Sequence, residues 1–111
     1  MAVTKRQLFH DKLSGIEFIV EDTPVEFEVK AYGNNEPAVL VICKDDGSRY
    51  GVLSVNLPGI TLEPDEFAVK TWSENEELSM AAMETGLFED TGKRIPSEFV
   101  KAQVWKLKNG K

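Results

Sequence analysis

The chain has one cysteine and one histidine among its 111 residues. A lone Cys43 cannot close an internal disulfide, so a hydrophobic core rather than a covalent staple has to hold the fold. Cys43 also lies inside the apolar run "AVLVIC", which predicts a buried, inert thiol. With His10 as the only imidazole, the usual soft ligand set for zinc is missing. A Cys–His nucleophile pair would have to join a strand core to the weakly patterned stretch "RQLFHDKL". Long hydrophobic runs are absent too. None approaches the about 20 residues that span a bilayer, and "MAVTKRQLFHDKL" lacks a signal-peptide core, so a cytoplasmic, membrane-free protein is expected. "GVLSVNLPG" is no phosphate loop, because neither a helix pattern nor a suitably placed lysine follows it. Asp45-Asp46 and Glu89-Asp90 lack the ligand spacing of a calcium loop. These absences predict no catalytic residues, no cofactor and no metal.

Basic residues are scarce over one long segment. Residues 63–90 hold nine acids (Glu63, Asp65, Glu66, Glu74, Glu76, Glu77, Glu84, Glu89 and Asp90) against Lys70 alone, a balance of −8. The rest of the chain carries ten acids and twelve bases, so the net −6 is concentrated in that segment. Such a segment argues against direct contact with a phosphate backbone and suits a protein partner with a basic surface. Its plain account is a solvated face.

The remaining patterns describe one α+β domain over residues 16–107, mainly an antiparallel sheet of about five to six strands with one packed helix. Residues 1–15 read as an extension or a short helix. "GIEFIVEDTPVEFEVKAY" predicts two extended segments around the turn "EDTP"; in the second, Val25, Phe27, Val29 and Ala31 alternate with Glu26, Glu28 and Lys30. After the loop "GNNEP", "AVLVICK" reads as a central strand. Asp46-Gly47 then signals a tight hairpin into "RYGVLSVN". "LPGITLEPDE" is a loop and "EFAVK" a short strand. Ser73 followed by Glu76 matches a capping box, and Gly86 is a C-terminal stop, which predicts a helix over about 73–85. Leu78, Ala81, Ala82 and Thr85 form its inward stripe, with Met80 and Met83 on a neighbouring side next to Glu76. "GLFEDTGKRIPS" is turn-rich. "EFVKAQVWKL" reads as a final strand, with Phe99, Lys101, Gln103 and Trp105 on one parity, and its lysines suggest a protected sheet edge.

"YGVLSVNLPG", "FAVKTWSENEEL" and "GLFEDTGKRIPSEFVKAQVWKL" together resemble a domain-of-unknown-function family of small proteins encoded by bacteriophages, plasmids and other mobile elements. The similarity covers roughly residues 16–107. Its specific parts are Asn56-Leu57-Pro58-Gly59, Trp72-Ser73-Glu74-Asn75-Glu76 and Asp90-Thr91-Gly92. The resemblance implies a setting and carries over no catalytic residues.

The expected function is therefore a non-catalytic protein-binding module of a mobile element, directed at a basic host surface such as a defence factor or a nucleic-acid enzyme. The expected face comprises Glu74, Glu76, Glu77, Glu84, Glu89 and Asp90, with Trp72 and Met80 as apolar anchors. One alternative is a self-associating structural or assembly accessory protein that uses the final strand. Another is a small-molecule binder with a pocket between helix and sheet.

Overall fold

Alternating and continuous apolar stretches of the chain become strands that enclose an aromatic core. The computed structural model describes residues 4–33, 36–57, 59–60, 62–97 and 100–108. The elements run α1 (Lys5–Leu13), β1 (Glu17–Val20), β2 (Thr23–Ala31), β3 (Pro37–Cys43), β4 (Arg49–Val52), β5 (Glu66–Val69), a 3-10 turn (Ser73–Asn75), α2 (Glu76–Glu84), β6 (Phe88–Ser97) and β7 (Val100–Leu107). The fold is α+β, with seven antiparallel strands in two sheets ordered β1-β2-β3-β4 and β5-β7-β6. Asn34, Asn35, Pro58 and Phe99, all used in the sequence reading, lie outside the described residues.

The four-stranded sheet follows the sequence pattern closely. Glu21 and Asp22 form a two-residue hairpin loop with φ of 47° and 71°, while Pro24 already pairs with Ile19 inside the ladder. Positive φ at both loop positions matches the twist of the flanking strands. In β2, Val25, Phe27 and Val29 are buried and the residues between them reach solvent. β3 is central, as its continuous apolar run predicts, and its first five residues are buried. Cys43, at its far end, is half-buried rather than buried, because β3 runs out there into the turn. That turn is longer than a two-residue hairpin: Cys43 N–H donates to Ser48 O, and Gly47 (φ 74°) donates back to Cys43 O. Asp46 Oδ1, which accepts from both the backbone and the hydroxyl of Ser48, holds the wider loop.

Residues 53–55 join the sheets. Leu53 N–H donates to Val39 O on one side, while Val55 donates to Ala68 O and Lys70 donates to Leu53 O on the other. Between them, the Ser54 hydroxyl oxygen accepts from Val39 N–H at 2.9 Å and bonds Tyr32 Oη at 2.9 Å. In the second sheet two expectations change. "FEDTGKRIPS" is strand β6, and its turn-like "DTG" is a bulge in which Gly92 takes φ 88° and Thr91 Oγ1 donates to Val104 O. The terminal β7 is the centre of the sheet rather than its edge, because β5 and β6 pair on either side of it.

Five of the six phenylalanines and Trp105 form one network. Phe27 of the first sheet meets Phe88 of the second edge-on at 5.7 Å; Phe88 and Phe67 both pack on Trp105, and Phe9 of α1 meets Phe67 at 5.2 Å. Phe18 adds to Phe27 at 4.6 Å. α1 is capped by Thr4, whose hydroxyl accepts from Gln7 N–H, and it contributes the fully buried Phe9 and Leu13 to this core.

The start of α2 departs from the expected capping box. Ser73 sits at φ 55° in the 3-10 turn, and no side chain caps either that turn or α2. Asn75 organises the entry instead: it is buried, and its Nδ2 donates to Val52 O at 2.7 Å and to Lys70 O at 3.1 Å. The helix is thus tied to the ends of β4 and β5 by an amide clamp. Urea unfolding should therefore find Ser73→Ala within about 0.5 kcal/mol of the parent. Asn75→Ala should cost about 1–3 kcal/mol, because two carbonyls lose a nearly buried donor. The opposite order of effects would reinstate the capping box.

Candidate functional site

Helical spacing aligns Glu76, Met80 and Met83 along one flank of α2, four and three residues apart. Across from them, strand pairing sets Asp90 of β6 directly opposite Trp105 of β7, and Gln103 shares the face of Trp105 two residues earlier. Between the two lies an open groove of about 540 Å³, which Thr71 and Ser79 also line. Trp105 forms its floor: the indole is almost fully buried, its far side packs on Phe67 and Phe88, and its Nε1 donates to Gln103 Oε1 at 2.8 Å. Met80 stands at the rim and is 60% exposed, a large apolar surface left on an acidic helix.

The carboxylates of the 63–90 segment do not act as one block. Glu66 is buried and accepts from Lys93 Nζ through both oxygens, and from the backbone of Glu63. Burial raises its pKa, but the Glu63 N–H, the Lys93 ammonium and the more distant Lys5 charge outweigh that and hold it below the usual range. Glu74 pairs with Lys70 four residues before it, and that ammonium lowers its pKa in the same sense. Asp90 is gripped by Arg94, whose two terminal nitrogens donate to its two oxygens at 3.0 Å each; Gly92 N–H adds a third bond at 2.9 Å. The guanidinium holds the Asp90 carboxyl low, against burial, with help from the Gly92 amide. Glu76, Glu77, Glu84 and Glu89 are exposed.

Of the residues expected to form the working face, Glu76, Met80 and Asp90 come together in the groove. Glu74 is on the other flank of the helix, against Lys70. Glu77 and Glu84 are exposed on α2 outside the groove lining, and Glu89 faces away from Asp90, with Lys106 opposite it in the ladder. Trp72 is half-buried ahead of the 3-10 turn, where its carbonyl accepts from Asn75 N–H, and it does not line the groove. Trp105, Gln103 and Met83 complete the groove. In the sequence the first two show only as an i, i+2 pair on one strand parity; what places them beside the helix is the pairing with β6.

The lining contains no nucleophile beside a base. Ser79 spends its hydroxyl on the Glu76 carbonyl, and His10 lies exposed on α1. Among the described residues, no group of three or more His, Cys, Asp or Glu side chains could hold a metal ion, and no helix is long and apolar enough to cross a membrane. What the groove does offer is a soft apolar lining with carboxylates beside it.

No family model matches the chain, and no curated protein or solved structure matches it.

The Asp90–Arg94 grip makes a direct prediction. A folded-state pKa held below the unfolded value stabilises the fold above the unfolded pKa, and that contribution fades as pH falls through the folded pKa. In a carbon-detected NMR titration, Arg94→Met should therefore move the Asp90 midpoint upward, toward the ordinary carboxylate range. An unchanged midpoint would mean that the guanidinium is not what holds Asp90 ionised.

Proposed function

We propose that the chain is a non-catalytic protein-binding module that receives a basic partner segment in the groove between α2 and the β5-β7-β6 sheet. One observation carries this reading: the groove gathers Met80, Met83 and Trp105 into an apolar strip and sets the carboxylates of Glu76 and Asp90 beside it. Asp90 is largely compensated by Arg94, so Glu76 is the chief attraction for a cation within the groove, with Glu77 and Glu84 adding long-range attraction from the same helix. An apolar anchor flanked by charge is the usual division of labour at an interface: the anchor holds and the charges steer. The resemblance to proteins of phages and mobile elements supplies the setting, in which a basic host factor, including one that handles nucleic acid, is the natural target. Contact with such a factor would be through protein, since an acidic groove repels a phosphate backbone.

Self-association is the second reading. Its specific support is Ile19, 57% exposed on the outer strand β1 of the four-stranded sheet. The final strand offers no free edge for it. Sedimentation over a range of concentrations separates the two readings, because only this one requires a concentration-dependent dimer.

The first reading is tested by capture from bacterial lysate at low and moderate salt. The tagged chain should retain a partner in a salt-sensitive manner, and Met80→Ala should weaken that complex about tenfold, the loss expected of an anchor side chain. Glu76→Lys should abolish the capture at moderate salt, and Glu74→Lys should matter less because Glu74 already pairs with Lys70. Equal capture by the parent, Met80→Ala and Glu76→Lys proteins would remove the groove from consideration.

A further inference from the structure

On the opposite flank of α2 lies a second concavity of about 660 Å³, bounded by Tyr32, Tyr50, Val52, Lys70, Asn75 and Leu78. Its volume is within the about 300–1,000 Å³ typical of small-molecule sites. Asn75 is only 3% exposed, and both hydrogens of its Nδ2 are committed to the carbonyls of Val52 and Lys70. Exchanging the oxygen and nitrogen of that amide would set an acceptor against two carbonyls, so the orientation is determined. The remaining atom, Oδ1, accepts no hydrogen bond from the described residues. No fully enclosed side-chain polar atom among those residues lacks a partner, so Oδ1 retains an opening, and the concavity that Asn75 lines is this one. A nearly buried residue with an unoccupied acceptor, its amide fixed by two donated bonds, thus lines this cavity.

The surroundings specify what would suit it. Tyr50 is half-buried, and its hydroxyl makes no hydrogen bond to the described residues. Burial, followed by the charges of Glu21, Cys43 and Glu77, raises its pKa, so at neutral pH it is a phenol. Tyr32 is fixed by its hydroxyl to Ser54. Val52 and Leu78 complete an apolar wall, and Gly51 leaves room for Leu78: a Cβ there would lie 3.1 Å from Leu78 Cδ2. Lys70 is paired with Glu74, so the site offers no uncompensated cation to an anionic ligand. The recognition elements are therefore aromatic and aliphatic surface plus a directed acceptor.

We propose that this cavity binds a small planar aromatic heterocycle with an exocyclic amine, of nucleobase size, whose N–H donates to Asn75 Oδ1 while its ring packs against Tyr50 and Leu78. The proposal is independent of the groove on the other flank. It is tested on the full chain, labelled with nitrogen-15 and titrated separately with adenosine and with purine riboside, which lacks the exocyclic amine. Adenosine should shift the Asn75 side-chain amide resonances saturably, and purine riboside should bind about tenfold more weakly, the worth of one buried hydrogen bond. Tyr50→Leu should weaken adenosine binding while leaving the backbone spectrum of the fold intact. Absence of a saturable shift at Asn75 with adenosine, or equal binding of the two nucleosides, would overturn the proposal, and both comparisons use the unsubstituted chain.

Discussion

The contact between Phe27 and Phe88 is the point at which the two sheets become one molecule. Each sheet carries one apolar face that has to be covered, and packing the two faces against each other buries both. Phe27 projects from β2 and Phe88 from the start of β6; Phe67, Trp105 and Phe9 extend the cluster across the second sheet and into α1. Large rings in edge-on and tilted contact fill the space between twisted sheets with few atoms and add quadrupole attraction to their burial. Everything else hangs on that cluster. It determines where β7 lies, hence where Trp105 presents its outer side, hence the floor of the groove beside α2.

The second constraint is polar. The ends of β4 and β5 approach each other through residues 53–55, and a helix must begin immediately beside that joint. Asn75 satisfies carbonyls of both segments at once and so positions α2 over the seam. One consequence is that the helix has a concavity on each flank. Glu76, Met80 and Met83 face the second sheet, while Glu74, Asn75 and Leu78 face the junction with Tyr32 and Tyr50. The strain at Ser73, a non-glycine residue at φ 55°, sits in the same turn, where the chain reverses into the clamp.

Much of the fold was legible because its signals are local. Alternation in "VEFEV" gave the buried face of β2, although Ala31 on the same parity is exposed at the strand end; the unbroken "AVLVIC" marked a central strand, and Leu78 and Ala82 marked the inward side of α2. Local chemistry misled at two places. "EDTGKRIP" carries turn residues, yet pairing with β7 on one side stabilises it as a strand and confines the irregularity to a bulge at Gly92. Ser73 and Glu76 have the spacing of a reciprocal cap, but the entry to the helix is governed by Asn75, whose partners are 23 and 5 residues away. The candidate face was legible in the same partial way: Glu76, Met80 and Asp90 were named from composition and spacing, whereas Trp105 was not, because its neighbours come from a strand that the turn residues concealed.

By itself the sequence determined the class of the fold, the absence of an internal disulfide and the hairpins of the first sheet, since hydrophobic period and turn chemistry act over a few residues. It also determined that acids cluster between residues 63 and 90. Only the tertiary structure decided what those acids are. Lys93 and Arg94, just beyond that window, fold back onto Glu66 and Asp90, and Lys70 neutralises Glu74. A charge counted along the chain becomes a field only once its partners are placed in space, because Coulomb attraction depends on distance through space and not on separation in sequence.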